Sequence, residues 1–222
     1  MVPTGRLPSI SMTFAMSNSS RIHSVVCGLL CVATLGAWNR PVWAGVKVTD
    51  EVPTPAAPAA QLVVYADDMT SLPFTPSGWM GNRGAIKLND KCTVNPHGGA
   101  TCIKLEYRAA DQWGGIVWQD PPDDWGDRPG GHDLTGATRL AFWARGETGG
   151  EKVKFVFGVI KREKPHFDTA SGELEVVLTK EWTSYSIDLT GKDLSRIKTG
   201  FGWTLGGQGK PVTFHLDDIE YE

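Results

Sequence analysis

The chain has 222 residues, with 22 Lys and Arg against 25 Asp and Glu and a formal net charge of −3. An acidic balance without clustered Lys and Arg excludes binding to a phosphate backbone, so nucleic acid is not an expected partner. The length suits one domain with a proper core.

Arg21 and His23 precede an apolar run at residues 24–37, SVVCGLLCVATLGA. The run is too short to span a bilayer comfortably and lies at the N-terminus, as a secretory h-region does. Val42-Trp43-Ala44 offers small residues for cleavage before Gly45, and translation starting at Met12 or Met16 would shorten the segment before the run. A lipoprotein site at Cys31 lacks its small-residue box in Gly28-Leu29-Leu30, and an uncleaved anchor is the remaining alternative. Residues 1–44 are therefore expected to be a signal peptide, with export to a periplasmic or secreted location and no membrane span after cleavage. The segment contains Arg6, Arg21 and Arg40 and no acid, so residues 45–222 are more acidic than the whole chain. Residues 45–61, GVKVTDEVPTPAAPAAQ, carry Pro and Ala without apolar periodicity and read as a flexible leader.

From residue 62 to 222 the pattern is of strands. Nine short runs at 62–66, 101–107, 115–119, 138–144, 152–160, 173–179, 182–189, 200–205 and 212–221 are rich in β-branched and aromatic residues. Val153, Phe155, Phe157 and Val159 share one face of their run, and Lys152, Lys154 and Gly158 the other. A short helical turn is expected at 191–197. The absence of a long amphipathic helical stretch predicts an all-β antiparallel sandwich of two sheets. A jelly roll is preferred to an immunoglobulin-like sandwich, which would not need the long loop at 120–135.

Cys27 and Cys31 fall in the signal segment, leaving Cys92 and Cys102 around CTVNPHGGATC. Two cysteines ten apart in an exported chain suggest a disulfide closing a turn; a metal pair and free thiols are the alternatives. The sequence has no nucleophile elbow, P-loop, HExxH, CxxC or dinucleotide fingerprint, and His97, His132, His166 and His215 lack metal-ligand spacing. Asp111, Asp120, Asp123, Asp124 and Asp127 could supply a glycosidase pair or stand as solvated loop acids.

The aromatic inventory is the stronger signal. Trp143 and Trp182 lie within strand-like runs and are expected to pack on the sheets, while Trp79 is unassigned. Trp113, Trp118 and Trp125 flank polar and turn-forming residues in DQWGG and DDWGD. A pyranose ring has an apolar face of C–H groups and an edge of hydroxyls, so a site for it wants an indole beside carboxylates or amides. The expected glycan site comprises Trp113, Trp118 and Trp125 as stacking plates, Gln119 and Asp124 as hydroxyl partners, and Trp203 as a further wall. Asp67-Asp68 near the start and Asp217-Asp218 near the end would converge if the first and last strands are neighbours. Such acids either bind a calcium ion or face water.

The order WGGIVW at 113–118, WG at 125–126, DLTGA at 133–137, LAFWARG at 140–146, WTSYSIDL at 182–189, GFGW at 200–203 and FHLDDI at 214–219 resembles the jelly-roll carbohydrate-binding modules with a galactose-binding-domain-like fold. The resemblance spans nearly the whole strand region. It implies a structural calcium held by Asp67 or Asp68 together with Asp217, and a polysaccharide or glycan as partner. The expected function is non-catalytic carbohydrate binding outside the cell. A small glycosidase or lyase using loop carboxylates, and an envelope scaffold domain that binds proteins, are the alternatives on a fold that serves several functions.

Overall fold

The structure is a computed structural model that describes residues 61–67 and 71–222. The predicted signal peptide, its cleavage site, all of the leader but Gln61, and Asp68 lie outside the described residues. Eleven strands follow one another: β1 (Leu62–Tyr65), β2 (Thr75–Gly81), β3 (Ile86–Cys92), β4 (Cys102–Tyr107), β5 (Gly114–Gln119), β6 (Arg139–Gly146), β7 (Lys152–Phe157), β8 (Gly172–Val177), β9 (Thr183–Asp188), β10 (Thr199–Leu205) and β11 (Val212–Tyr221). A single 3-10 turn at Arg83–Ala85 is the one helical element among the described residues. No helix among them is long and apolar enough to cross a membrane.

The first sheet runs β3-β4-β11-β6-β9 and the second β2-β5-β10-β7-β8. From β4 onward the chain crosses repeatedly between sheets, giving β4-β11-β6-β9 over β5-β10-β7-β8, the nested antiparallel order of a jelly roll. A bulge in β11 between Asp217 and Glu220 re-aims that long strand. Its first half pairs with β4 at Val212 to Leu216, and its end pairs with β1 at Ile219 to Tyr221.

Period-two alternation decides which side chains enter the core. Phe142, Phe214 and Leu216 point inward from the first sheet and meet Trp118, Phe155, Phe201 and Trp203 from the second. Phe142 and Phe155 approach to 4.6 Å between ring centroids, and Trp203 meets Phe214 edge-on at 5.2 Å. Each such side chain contributes roughly 1.5–3 kcal/mol through burial.

Two strands are absent from the nine expected. β2 reads TPSGWMG, whose proline and glycines mark a turn; it is an edge strand, where a missing N–H costs no ladder bond. β3 reads IKLNDKC, and as the opposite edge strand it needs few apolar residues. The helical turn expected at 191–197 does not form. That segment is irregular instead, with a turn at Thr190 and Gly191, a bend at Ser195 and Ile197 bridged to His132.

Candidate functional site

The outer face of the second sheet is built from two register rows. One crosses all five strands as Met80, Gly115, Thr204, Lys154 and Glu175, and the next as Gly78, Val117, Gly202, Val156 and Glu173. Three of the ten positions are glycine, and none of the three has room for a side chain; a Cβ on Gly78 would lie 2.4 Å from a Val117 methyl. A Cβ on Gly115 would lie 2.3 Å from the Trp203 carbonyl oxygen, and one on Gly202 would lie 2.4 Å from a Val117 methyl. The row through Val117 is covered, so the open part of the face is the row through Gly115, and five strands at about 4.8 Å spacing make it roughly 19 Å across.

A groove of about 520 Å³ occupies one end of this face, lined by Trp113, Lys152, Lys154, Glu175, Val177 and Thr204. A second hollow of about 720 Å³ adjoins it through Trp113 and Gly206, and brings in Asn82, Asp111 and Gln112. Trp113 sits on the rim between the two with 55% of its surface exposed, and Val177, 60% exposed, flanks the far side. These are apolar surfaces left in water beside polar groups. Asn82 Nδ2 donates to Gln112 Oε1, which fixes an amide pair next to the indole. Lys154 Nζ lies 2.9 Å from Glu175 and 3.4 Å from Glu173, and bonding to Glu175 raises its pKa. Gln208 exchanges two hydrogen bonds with the backbone of Lys152, at 2.8 and 3.0 Å, and ties the 206–211 loop to β7. The arrangement offers an aromatic plate, amide donors and acceptors, and charges already neutralised by one another.

The other proposed plates lie elsewhere. Trp118 and Trp203 are core residues, 1% and 0% exposed, because their register rows alternate with the groove floor and face the first sheet. Gln119 and Asp124 are also buried, and both are spent on the loop at 120–131. Gln119 Nε2 donates to the Asp124 carbonyl at 2.7 Å, and Ser77 Oγ donates to Gln119 Oε1 at 3.0 Å. The Asp124 carboxylate accepts from the N–H groups of Gly126, Asp127 and Arg128 and from Lys198 Nζ at 2.5 Å. Burial alone would raise its pKa; the Lys198 ammonium and the N–H donors hold it down at about 2. This loop packs at the opposite end of β5 from Trp113, a separation of roughly 20 Å along six residues of strand. Trp125, half-buried within it, does not join Trp113.

On the first sheet the chain itself covers part of the outer face, around Trp143, Arg145 and His215. Residues 93–101, between β3 and β4, lie over β6 and β11. The His97 ring stacks on Trp143 at 3.7 Å between centroids, with its Nδ1 2.7 Å from Asp218. Trp182 Nε1 donates to the Asn95 carbonyl at 3.0 Å, and the Arg145 guanidinium lies over the Trp182 ring. Beneath, His215 is buried, and burial followed by the nearby Arg145 and Lys104 charges lowers its pKa to about 4.

The acids expected to hold calcium grip this same loop. Asp67 accepts the Ala100 and Thr101 N–H groups and the Thr101 hydroxyl, and the hydroxyl bond does most to lower its pKa. Asp217 accepts the N–H groups of His97, Gly98 and Asp218; burial nevertheless raises its pKa. Among the described residues no three acids, histidines or cysteines group as a metal site, and every oxygen of Asp67 and Asp217 already faces a donor. Calcium takes six to eight oxygens, backbone carbonyls and water among them, and the acids expected to hold it are not all among the described residues. Asp68 lies outside them. Cys92 and Cys102 are cross-strand partners, both buried, with no bond between them in this structure.

The sequence reading named Trp113 with Gln112 beside it in DQWGG; it did not name Asn82, nor, across the face, Lys154, Glu175 and Val177. Their alternation within β7 and β8 marked the outward side chains, but no local signal tells that β7 and β8 close the far side of the floor carrying Trp113.

No family model matches the sequence, and no curated protein matches it. Solved structures do. The family 30 carbohydrate-binding module of a cellulosomal cellulase of Clostridium thermocellum superposes with a TM-score of 0.53 at 18% identity, covering 73% of this chain and 96% of that one. Two further crystal structures of family 30 carbohydrate-binding modules give TM-scores of 0.53 and 0.52 at 18% and 17% identity. They cover 72% and 73% of this chain and 86% and 98% of their own. The chain thus has the jelly-roll β-sandwich fold of carbohydrate-binding modules.

Proposed function

We propose that this protein is an exported, non-catalytic carbohydrate-binding domain that lays an uncharged polysaccharide across the outer face of its second sheet. The observation that carries this reading is Trp113, an exposed indole on the rim of a groove with an amide pair beside it. The groove and its adjoining hollow together run from Gly81 at the end of β2 to Glu175 on β8, which suits a segment of a linear chain better than a single sugar. The Lys154 charge is held between Glu173 and Glu175, leaving it little pull on an acidic sugar. Two acids line the groove and its adjoining hollow, Asp111 beside β5 and Glu175 on β8. Three strand spacings separate β5 from β8, about 14 Å, too wide for the carboxyl pair of a glycosidase. Glu173 and Glu175 lie closer together, but both are tied to the Lys154 ammonium, which supports binding over hydrolysis. The solved carbohydrate-binding modules of the same fold lend the reading further weight.

The test is affinity electrophoresis and calorimetry on soluble β-glucans, xylans and mannans. At least one should bind the wild-type chain. Stacking contributes about 0.5–1.5 kcal/mol beyond area burial, so Trp113→Ala should weaken binding tenfold or more without changing the melting temperature. Trp143→Ala, on the covered face, should leave affinity intact. No binding across the panel, or undiminished affinity in Trp113→Ala, would refute the reading.

A further inference from the structure

We propose that Cys92 and Cys102 become joined by a disulfide as the chain folds, and that this bond fastens the 93–101 loop over the outer face of the first sheet. Four observations carry the inference. The two residues are directly paired in the β3–β4 ladder, so their side chains leave the same face of the sheet. Cross-strand pairs hold Cα atoms about 4.5–5.5 Å apart, inside the range that a disulfide spans. They close the neck of a loop whose tip is held by Asp67, Asp217, Trp143 and Trp182. Both are buried, Cys92 at 4% and Cys102 at 0% exposure, so neither faces solvent as a reactive thiol would.

Burial also decides when the bond forms. The thiolate is the attacking species in exchange, and burial, with Cys92 alongside, pushes the Cys102 thiol up to about 12. The folded, reduced pair is accordingly slow to react, and the bond forms while the neck is still open to solvent. One cysteine thiolate attacks the disulfide of a small-molecule or protein oxidant and expels one of its thiols. The second thiolate then displaces the other. Two S–H bonds give way to one S–S bond, and two electrons and two protons leave as the two thiols of the oxidant. Export to an oxidising compartment supplies such a reactant. Once folded, the same burial shields the bond from reductants.

The digestion pattern makes this directly measurable. Lys91 and Lys104 flank one tryptic peptide, 92–104, that contains both cysteines and no other cleavage site. The full chain is produced through an oxidising compartment, denatured, alkylated and digested without reduction. The peptide should emerge unalkylated and lighter by two hydrogen atoms, and should take up two alkyl groups after reduction. A peptide alkylated twice without prior reduction would overturn the bond. The loop-fastening role is read from a Cys92→Ser, Cys102→Ser variant, whose melting temperature should fall by roughly 5 to 10 °C. Amide exchange at His97, Gly98, Ala100 and Thr101 should quicken in the same variant. Melting and exchange equal to those of the oxidised wild type would refute that role.

Discussion

On the outer face of one sheet, Trp143 lies under His97 and Trp182 donates to Asn95. On the outer face of the other, Trp113 keeps more than half of its surface in water. The residue type is the same, and what differs is whether the chain folds back across it. An indole that its own loop covers adds to stability, whereas one left bare beside amides is available to a partner. The second sheet repeats the contrast along its own length. Its Gln119 end is closed by the 120–131 loop and its Gly115 end is open.

The contrast breaks most easily at the closed end of the second sheet. Lys198→Met would take from the Asp124 carboxylate its buried cation and leave only the partly exposed Arg128 Nε at 3.4 Å, and denaturant unfolding should show a loss of about 3 kcal/mol. The groove at the other end should keep its ligand affinity in whatever fraction remains folded.

Acid should act next, on the covered face of the first sheet. His215 has a folded pKa of about 4, below the ordinary 6.5, so the folded state resists taking a proton that the unfolded chain accepts. Its contribution is full above about pH 6.5 and declines as pH falls toward 4, at about 1.4 kcal/mol per pH unit and about 3 kcal/mol in all. Asp217 and Asp168, whose pKa values are raised chiefly by burial, lean the other way. Urea titrations from pH 7 to 4.5 should therefore show a steeper loss in the wild type than in His215→Gln, which lacks the titrating ring.

The smallest effect is expected from a chelator, because N–H and hydroxyl donors already compensate Asp67 and Asp217. Melting should shift by less than about 2 °C. A larger fall that calcium reverses and Asp68→Ala abolishes would assign a metal to Asp67, Asp68 and Asp217.

Much of the sandwich was legible because alternation is written locally. The β7 pattern put Val153, Phe155 and Phe157 inward and Lys152 and Lys154 outward, and β11 was read with its observed ends. The edge strands β2 and β3 escaped because an edge tolerates Pro, Gly and Asn, the residues that otherwise announce loops. The site was harder. Trp118 follows Ile116 at a spacing of two, and Trp203 stands between Phe201 and Leu205 at the same period, which marks both as inward-facing. The nearby Asp and Pro residues drew attention from that rhythm. Asp124 looked like a loop acid, since its partner Lys198 lies 74 residues away and only the fold joins them.

The pairing of β1 with the end of β11 has a mechanical consequence. Leu62 lies opposite Tyr221, and Gln61 reaches Glu220, so both ends of the sandwich lie together at the end of the central strand of the first sheet, the sheet opposite the groove. Anything tethered to either terminus would pull on the same spot. A tether at that place leaves the outer face of the second sheet, with Trp113, turned away from the anchorage.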